Sequence, residues 1–115
     1  MDIHYSVRQE GEKTVVEFKT ESLMNALDLE KMNGSLMSLV DVDGHRQLIL
    51  DFTPVKYLSS QAIGIILALH KKLSHSDGRL ILCGVGPQLM QLLKITRLNL
   101  VLKVAPSQKE ALMQK

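Results

Sequence analysis

The chain is short of aromatic residues: it has no tryptophan, two tyrosines and two phenylalanines among 115 residues. Few flat side chains are therefore on offer for bases to stack on. Fourteen Lys and Arg against twelve Asp and Glu leave a formal net charge of +2, too small to grip a phosphate backbone by itself. No nucleic-acid partner is expected. A single cysteine, Cys83, rules out any disulfide within the chain and fits a reducing compartment. It closes the apolar run Leu80-Ile81-Leu82-Cys83, where a buried strand thiol is the plainer reading than a nucleophile. Long hydrophobic runs are also missing. The longest, Ala62 to Leu69 with Gly64 inside it, falls far short of the roughly 20 residues that span a bilayer. The start, Met1-Asp2-Ile3-His4-Tyr5, lacks the basic and apolar regions of a signal peptide. A cytoplasmic chain with no membrane-inserted segment is expected. The four histidines, His4, His45, His70 and His75, have no metal-ligand spacing, and His70 and His75 read as solvent-facing groups near a helix C-terminus. No metal or cofactor is expected.

What remains is an ordinary globular composition, 45% hydrophobic and 23% charged, of a length that suits one domain spanning residues 1–115. Tyr5 to Arg8 and Thr14 to Phe18 flank Gly11 and predict an antiparallel hairpin. Leu29, Met32, Leu36, Leu39 and Val40 recur at spacings of three and four, predicting a helix over Asn25 to Val40 despite Gly34. Gln47 to Phe52 is a nearly continuous apolar strand, as in a parallel sheet covered on both faces. Gln61 to Leu73 is a second helix, and Arg79 to Cys83 a further strand. Pro87 suits the first turn of a short helix over Gln88 to Lys94. Leu100 to Val104 reads as a fifth strand, and a last short helix follows Pro106-Ser107 to about Met113. A hairpin followed by β-α units indicates an α/β layer fold, with about five strands, mostly parallel, and about four helices. The alternative is a flavodoxin-like doubly wound domain.

The segment that carries chemistry is Ser59-Ser60 at the start of the second helix. Either serine can cap the helix by accepting from a free backbone N–H. The same place tolerates a phosphate, because unpaired N–H groups and the positive end of the helix dipole lie there. A phosphoserine would add about −1.5 to −2 charges without melting the helix. Other patterns are weaker. Gly84-Val85-Gly86 is a strand-to-helix turn without the remaining residues of a dinucleotide or P-loop motif. Asp51 could pair with Asp41 or Asp43 only if the fold brought them together, and its strand-end position reads as structural or as part of a partner surface.

From Leu48 to about Lys72 the chain resembles the STAS domain: an apolar strand running into Asp51-Phe52-Thr53-Pro54-Val55, a short link Tyr57-Leu58-Ser59-Ser60, and the glycine-bearing helix Gln61-Ala62-Ile63-Gly64. The likeness continues through Gly78-Arg79-Leu80-Ile81-Leu82-Cys83-Gly84-Val85 and Leu92-Leu93-Lys94-Ile95-Thr96-Arg97-Leu98, and covers roughly residues 5 to 113. It implies the STAS-like layer fold and, for the anti-sigma-factor-antagonist type, a protein-binding module rather than an enzyme. In such antagonists a serine at this helix start is phosphorylated by a partner that is both kinase and anti-sigma factor. Aligned on the helix glycine, that serine falls on Ser60, with Ser59 the second choice. The family's acidic residue before it is Ser59 here, Gln61 and Ala62 replace the next two residues, and Lys19-Thr20-Glu21-Ser22-Leu23 keeps only one acid of another family segment. The implied partner surface is Lys56, Tyr57, Leu58, Ser59, Ser60 and Gln61, with Tyr57 and Leu58 exposed as apolar anchors. Two other readings stand beside it: a constitutive STAS scaffold or transport-complex subunit without phosphorylation, and a flavodoxin-like nucleotide or small-molecule binder. Self-association is compatible with the first two.

Overall fold

A computed structural model describes residues 4–114. The chain begins with a hairpin of β1 (Tyr5–Glu10) and β2 (Lys13–Phe18), then the two-residue strand β3 (Ser22–Leu23) and helix α1 (Ala26–Asp41). Next come β4 (Gln47–Asp51), a second two-residue strand β5 (Tyr57–Leu58), α2 (Ser60–His75), β6 (Arg79–Cys83) and α3 (Pro87–Ile95). A 3-10 turn at Leu98–Leu100, β7 (Lys103–Ala105) and α4 (Gln108–Met113) complete it. The main sheet has five strands in the order β1-β2-β4-β6-β7. Only the β1-β2 pair is antiparallel; β2, β4, β6 and β7 run the same way. The α/β layer fold with an N-terminal hairpin and four helices is as expected.

Register explains the continuous apolar runs. Val16, Leu50 and Leu82 are aligned across the sheet, and so are Val15, Ile49 and Ile81. Side chains alternate faces along a strand, so the first set joins the core under α1, α2 and α3, with Leu29, Leu36, Leu69, Leu73 and Leu93. The second set packs under α4 with Cys83, Ala105 and Ala111. A strand buried on both sides can afford no polar alternation, which is why Leu48-Ile49-Leu50 reads as it does. Phe18 and Phe52 meet at 5.0 Å between ring centroids near the end of the sheet where β2 and β4 finish.

Two expectations need correction. The fifth strand starts at Lys103, not Leu100. Arg97 takes a left-handed conformation, φ 61°, and the Leu98 carbonyl accepts from both Val101 N (3.0 Å) and Leu102 N (2.8 Å). Those N–H groups are spent in a turn and cannot join a ladder. The leucine-rich run looked like a strand because hydrophobicity alone does not record where backbone donors go. His70, in turn, is not solvent-facing: it is half-buried, and its Nδ1 is buried without a partner. His75, exposed in the last turn of α2, is as expected. No helix among the described residues is long and apolar enough to cross a membrane.

Candidate functional site

The loop from β4 to α2 is held at three points. At its start, the Asp51 carboxylate accepts from Thr53 N (2.9 Å) and Thr53 Oγ1 (2.5 Å), closing a tight turn. Its other oxygen accepts from Gln108 Nε2 at 2.8 Å, so Asp51 is buried but satisfied. Gly84, at the end of β6, presses its backbone against this turn with φ +64°. A Cβ there would fall on Thr53 Oγ1 and lie 2.5 Å from Asp51 Oδ1. The space in front of Gly84 is thus filled by a carboxylate, which is the wrong charge for a phosphate cradle. Asp41 and Asp43 precede β4 while Asp51 ends it, so the fold puts them at opposite ends of that strand. Cys83 is fully buried under α4, and its thiol pKa is pushed up to about 12 by burial and by the nearby Asp51 and Glu17 carboxylates. Such a thiol is inert.

The middle of the loop is pinned by β5, which pairs parallel with β3 through Ser22↔Tyr57 and Leu23↔Leu58. The Glu21 carbonyl accepts from Lys56 N (2.7 Å) and Tyr57 N (3.1 Å), and Leu23 O accepts from Ser59 N (3.1 Å). Sequence reasoning missed this pair because two residues carry no alternation to read. The signal available was local: two short segments, Ser22-Leu23 and Tyr57-Leu58, each shortly before a helix start.

The third point is the helix N-terminus. Ser59, held extended by the Leu23 carbonyl, is the N-cap of α2, and its hydroxyl accepts from Ala62 N at 3.1 Å. Ser60 is the first helical residue, exposed, and its hydroxyl takes no partner among the described residues. The two serines that sequence left interchangeable are therefore distinct: one hydroxyl is used by the backbone and the other is free. Gln61, also exposed, reaches back to Ala26 O at 3.2 Å and ties the start of α2 to the start of α1. Lys56 faces Glu21 at 3.9 Å, with both side chains more than half exposed, so the pair is worth at most about 1 kcal/mol.

Tyr57 is 54% exposed, but Leu58, expected to be exposed beside it, is half-buried against the core, so only Tyr57 projects. Two further apolar side chains are exposed near the β3-α1 junction: Met24, just after β3, and Leu27, in the first turn of α1, at 52% and 70%. Leu27 was not singled out from the sequence, although it lies off the buried stripe of α1 (Leu29, Met32, Leu36, Val40). A groove of about 490 Å³ runs between the two helices, walled by Leu27 and Glu30 of α1 and floored by Gly64 and Ala68 of α2. A Cβ on Gly64 would touch nothing within 4 Å, so that glycine keeps the groove open instead of relieving a clash. No group of three or more His, Cys, Asp or Glu able to hold a metal occurs among the described residues.

Comparison with known proteins agrees with the fold. The profile of the STAS domain matches residues 6–111. BtrV of Bordetella bronchiseptica, provisionally named an anti-sigma factor antagonist, is 28% identical over 91 residues, or 79% of this chain and 78% of its own. An anti-sigma factor antagonist from Mycobacterium paratuberculosis superposes with a TM-score of 0.84 at 20% identity, over 97% of this chain and 92% of that one. The Bacillus cell fate determinant SpoIIAA, solved in its phosphorylated form, gives 0.74 at 17% identity, over 95% and 96%.

Proposed function

This chain belongs to the STAS domain family, with anti-sigma factor antagonists among its relatives, and we propose that it is a protein-binding switch whose control point is Ser60. The partner face is Lys56, Tyr57, Leu58, Ser59, Ser60 and Gln61, extended by the groove between α1 and α2. The partner is an anti-sigma factor with serine-kinase activity or a related regulatory protein. One observation carries the reading: the hydroxyl of Ser59 caps α2 while that of Ser60 is exposed and unpartnered at the helix's positive end. A phosphate on Ser60 breaks no existing bond and sits where the dipole favours negative charge by about 0.3–1 kcal/mol. The fold is then kept while the face changes sign next to exposed Tyr57. Docking an apolar or acidic partner surface on that charge costs several kcal/mol, roughly what separates a micromolar complex from none.

Intact-mass and phosphopeptide analysis of the protein from its own cells tests this directly. A phosphatase-sensitive modification on Ser60, and loss of a partner by Ser60→Asp but not Ser60→Ala, is the expected result. A chain that stays unmodified in every growth condition, and a Ser60→Asp variant that binds as before, would leave the constitutive scaffold as the better account. That second reading has one feature in its favour: the first turn of α2 carries no acidic residue beside the serine.

A further inference from the structure

Helix α1 buries Leu29, Met32, Leu36 and Val40, and α3 buries Leu89 and Leu93. α4 is six residues long and buries only Ala111. So short a helix does not hold itself together in water, and one methyl group adds little burial. What seats α4 on the sheet is polar and comes from elsewhere in the chain. At its start, Gln108 Nε2 donates to Glu17 Oε2 at 2.7 Å and to Asp51 Oδ2 at 2.8 Å, and Arg8 donates to Gln108 Oε1. At its end, Lys13 Nζ donates to the carbonyls of Ala111 (3.3 Å), Leu112 (2.7 Å) and Gln114. Carbonyls at a helix C-terminus lack their usual intrahelical donors, and a cation is well placed there.

The two ends of α4 are tied to opposite ends of the sheet. Lys13 opens β2, whereas Glu17 and Asp51 are register neighbours where β2 and β4 finish. Between the ties, α4 covers Val15, Ile49, Ile81 and Cys83. The start of α4 also touches the β4–α2 loop. The carboxylate that Gln108 holds is the one whose other oxygen closes the turn at Thr53. If α4 leaves, Glu17 and Asp51 lose the amide between them, and like charges on adjacent strands repel. The seating of α4 and the turn that begins the loop thus share one carboxylate.

We propose that α4 is a detachable strap whose seating biases the β4–α2 loop through Gln108 and Asp51. The strap has two arrangements, on and off the sheet. A few polar ties and little apolar burial hold it on, the profile of a unit that opens before the rest of the fold. The linkage is reciprocal: whatever steadies α4 steadies the turn at Asp51 and Thr53, and whatever displaces that turn loosens α4. The strap bears on regulation only where Ser60, at the far end of the same loop, is the control point proposed above.

Cys83 reports on opening, because it is buried beneath α4 and unreactive while covered. Maleimide labelling of the full chain should proceed faster than global unfolding in the absence of urea, and depend only weakly on urea. Lys13→Gln should speed labelling on the order of tenfold. Lys13→Arg, which still donates to the carbonyls, should restore most of the parent rate, and Lys109→Gln, exposed on α4, should leave it unchanged. Amide hydrogen exchange at Thr53, whose N–H is bonded to Asp51, reads the coupling. The Lys13 ammonium bonds to α4 and lies at the other end of the sheet from this turn, so its effect on Thr53 must travel through α4. In the parent, Thr53 should exchange faster than the core amide of Leu50, and Lys13→Gln should raise its rate by at least about fivefold. Labelling of Cys83 with the urea dependence of global unfolding, a Thr53 amide as protected as Leu50, or one indifferent to Lys13→Gln would each overturn the proposal. None of these measurements requires a modified Ser60, so the strap and the switch stand or fall separately.

Discussion

Replacing each of the two adjacent serines by alanine separates a structural hydroxyl from a free one. In Ser59→Ala the bond from Ala62 N to Ser59 Oγ, 3.1 Å, is lost, and an N-terminal helical N–H is left to water. Loss of an N-cap serine costs about 1 kcal/mol. For a chain of this size that is a fall of about 4 °C in Tm, or roughly 0.5 M in the urea midpoint. Ser60→Ala removes no hydrogen bond, and alanine is the better helix former, so its stability should be unchanged or higher by a few tenths of a kcal/mol. Urea titrations followed by circular dichroism, run on both variants and the parent, resolve the difference. An equal loss in the two variants, or a larger loss in Ser60→Ala, would refute the assignment of Ser59 as the cap. It would also remove the ground for treating the Ser60 hydroxyl as available for modification.

Two further outcomes follow from the loop's anchors. Gly84→Ala should destabilise by about 3 kcal/mol, because the left-handed backbone and the contacts to Asp51 Oδ1 (2.5 Å) and Thr53 N (2.9 Å) both oppose a methyl group; a urea midpoint within error of the parent would contradict the close approach. Glu17 has its pKa lowered from 4.5, first by the hydrogen bond from Gln108 (2.7 Å), then, against the opposing effect of burial, by Arg8. A depressed carboxylate pKa stabilises the fold above the unfolded-state value and loses that stabilisation as pH falls through the folded one. The stability gap between the parent and Gln108→Leu should therefore be full above about pH 4.5 and narrow below it, and a gap independent of pH would show that the contact acts by packing alone.

The amino-acid sequence determined the layer fold because its signals were long and redundant. Apolar strands covered on both faces, a helix stripe at Leu29, Met32, Leu36 and Val40, and the turn at Gly11 all pointed the same way. The position of Ser59-Ser60 at the start of α2 was also legible, since it rests on local order along the chain. The sequence could not say which serine caps the helix. That depends on Leu23 O, 36 residues earlier, holding Ser59 extended through a two-residue strand pair. Nor could it tell that the run after Arg97 would close into a turn, because that was decided by one left-handed residue and two backbone donors. Leu58 looked as exposed as Tyr57 until the β3-β5 pair turned one side chain inward and the other out. Periodicity reports on the face of a long element, whereas a short segment takes its conformation and its exposure from partners distant in the chain, and only the tertiary structure brings those partners together.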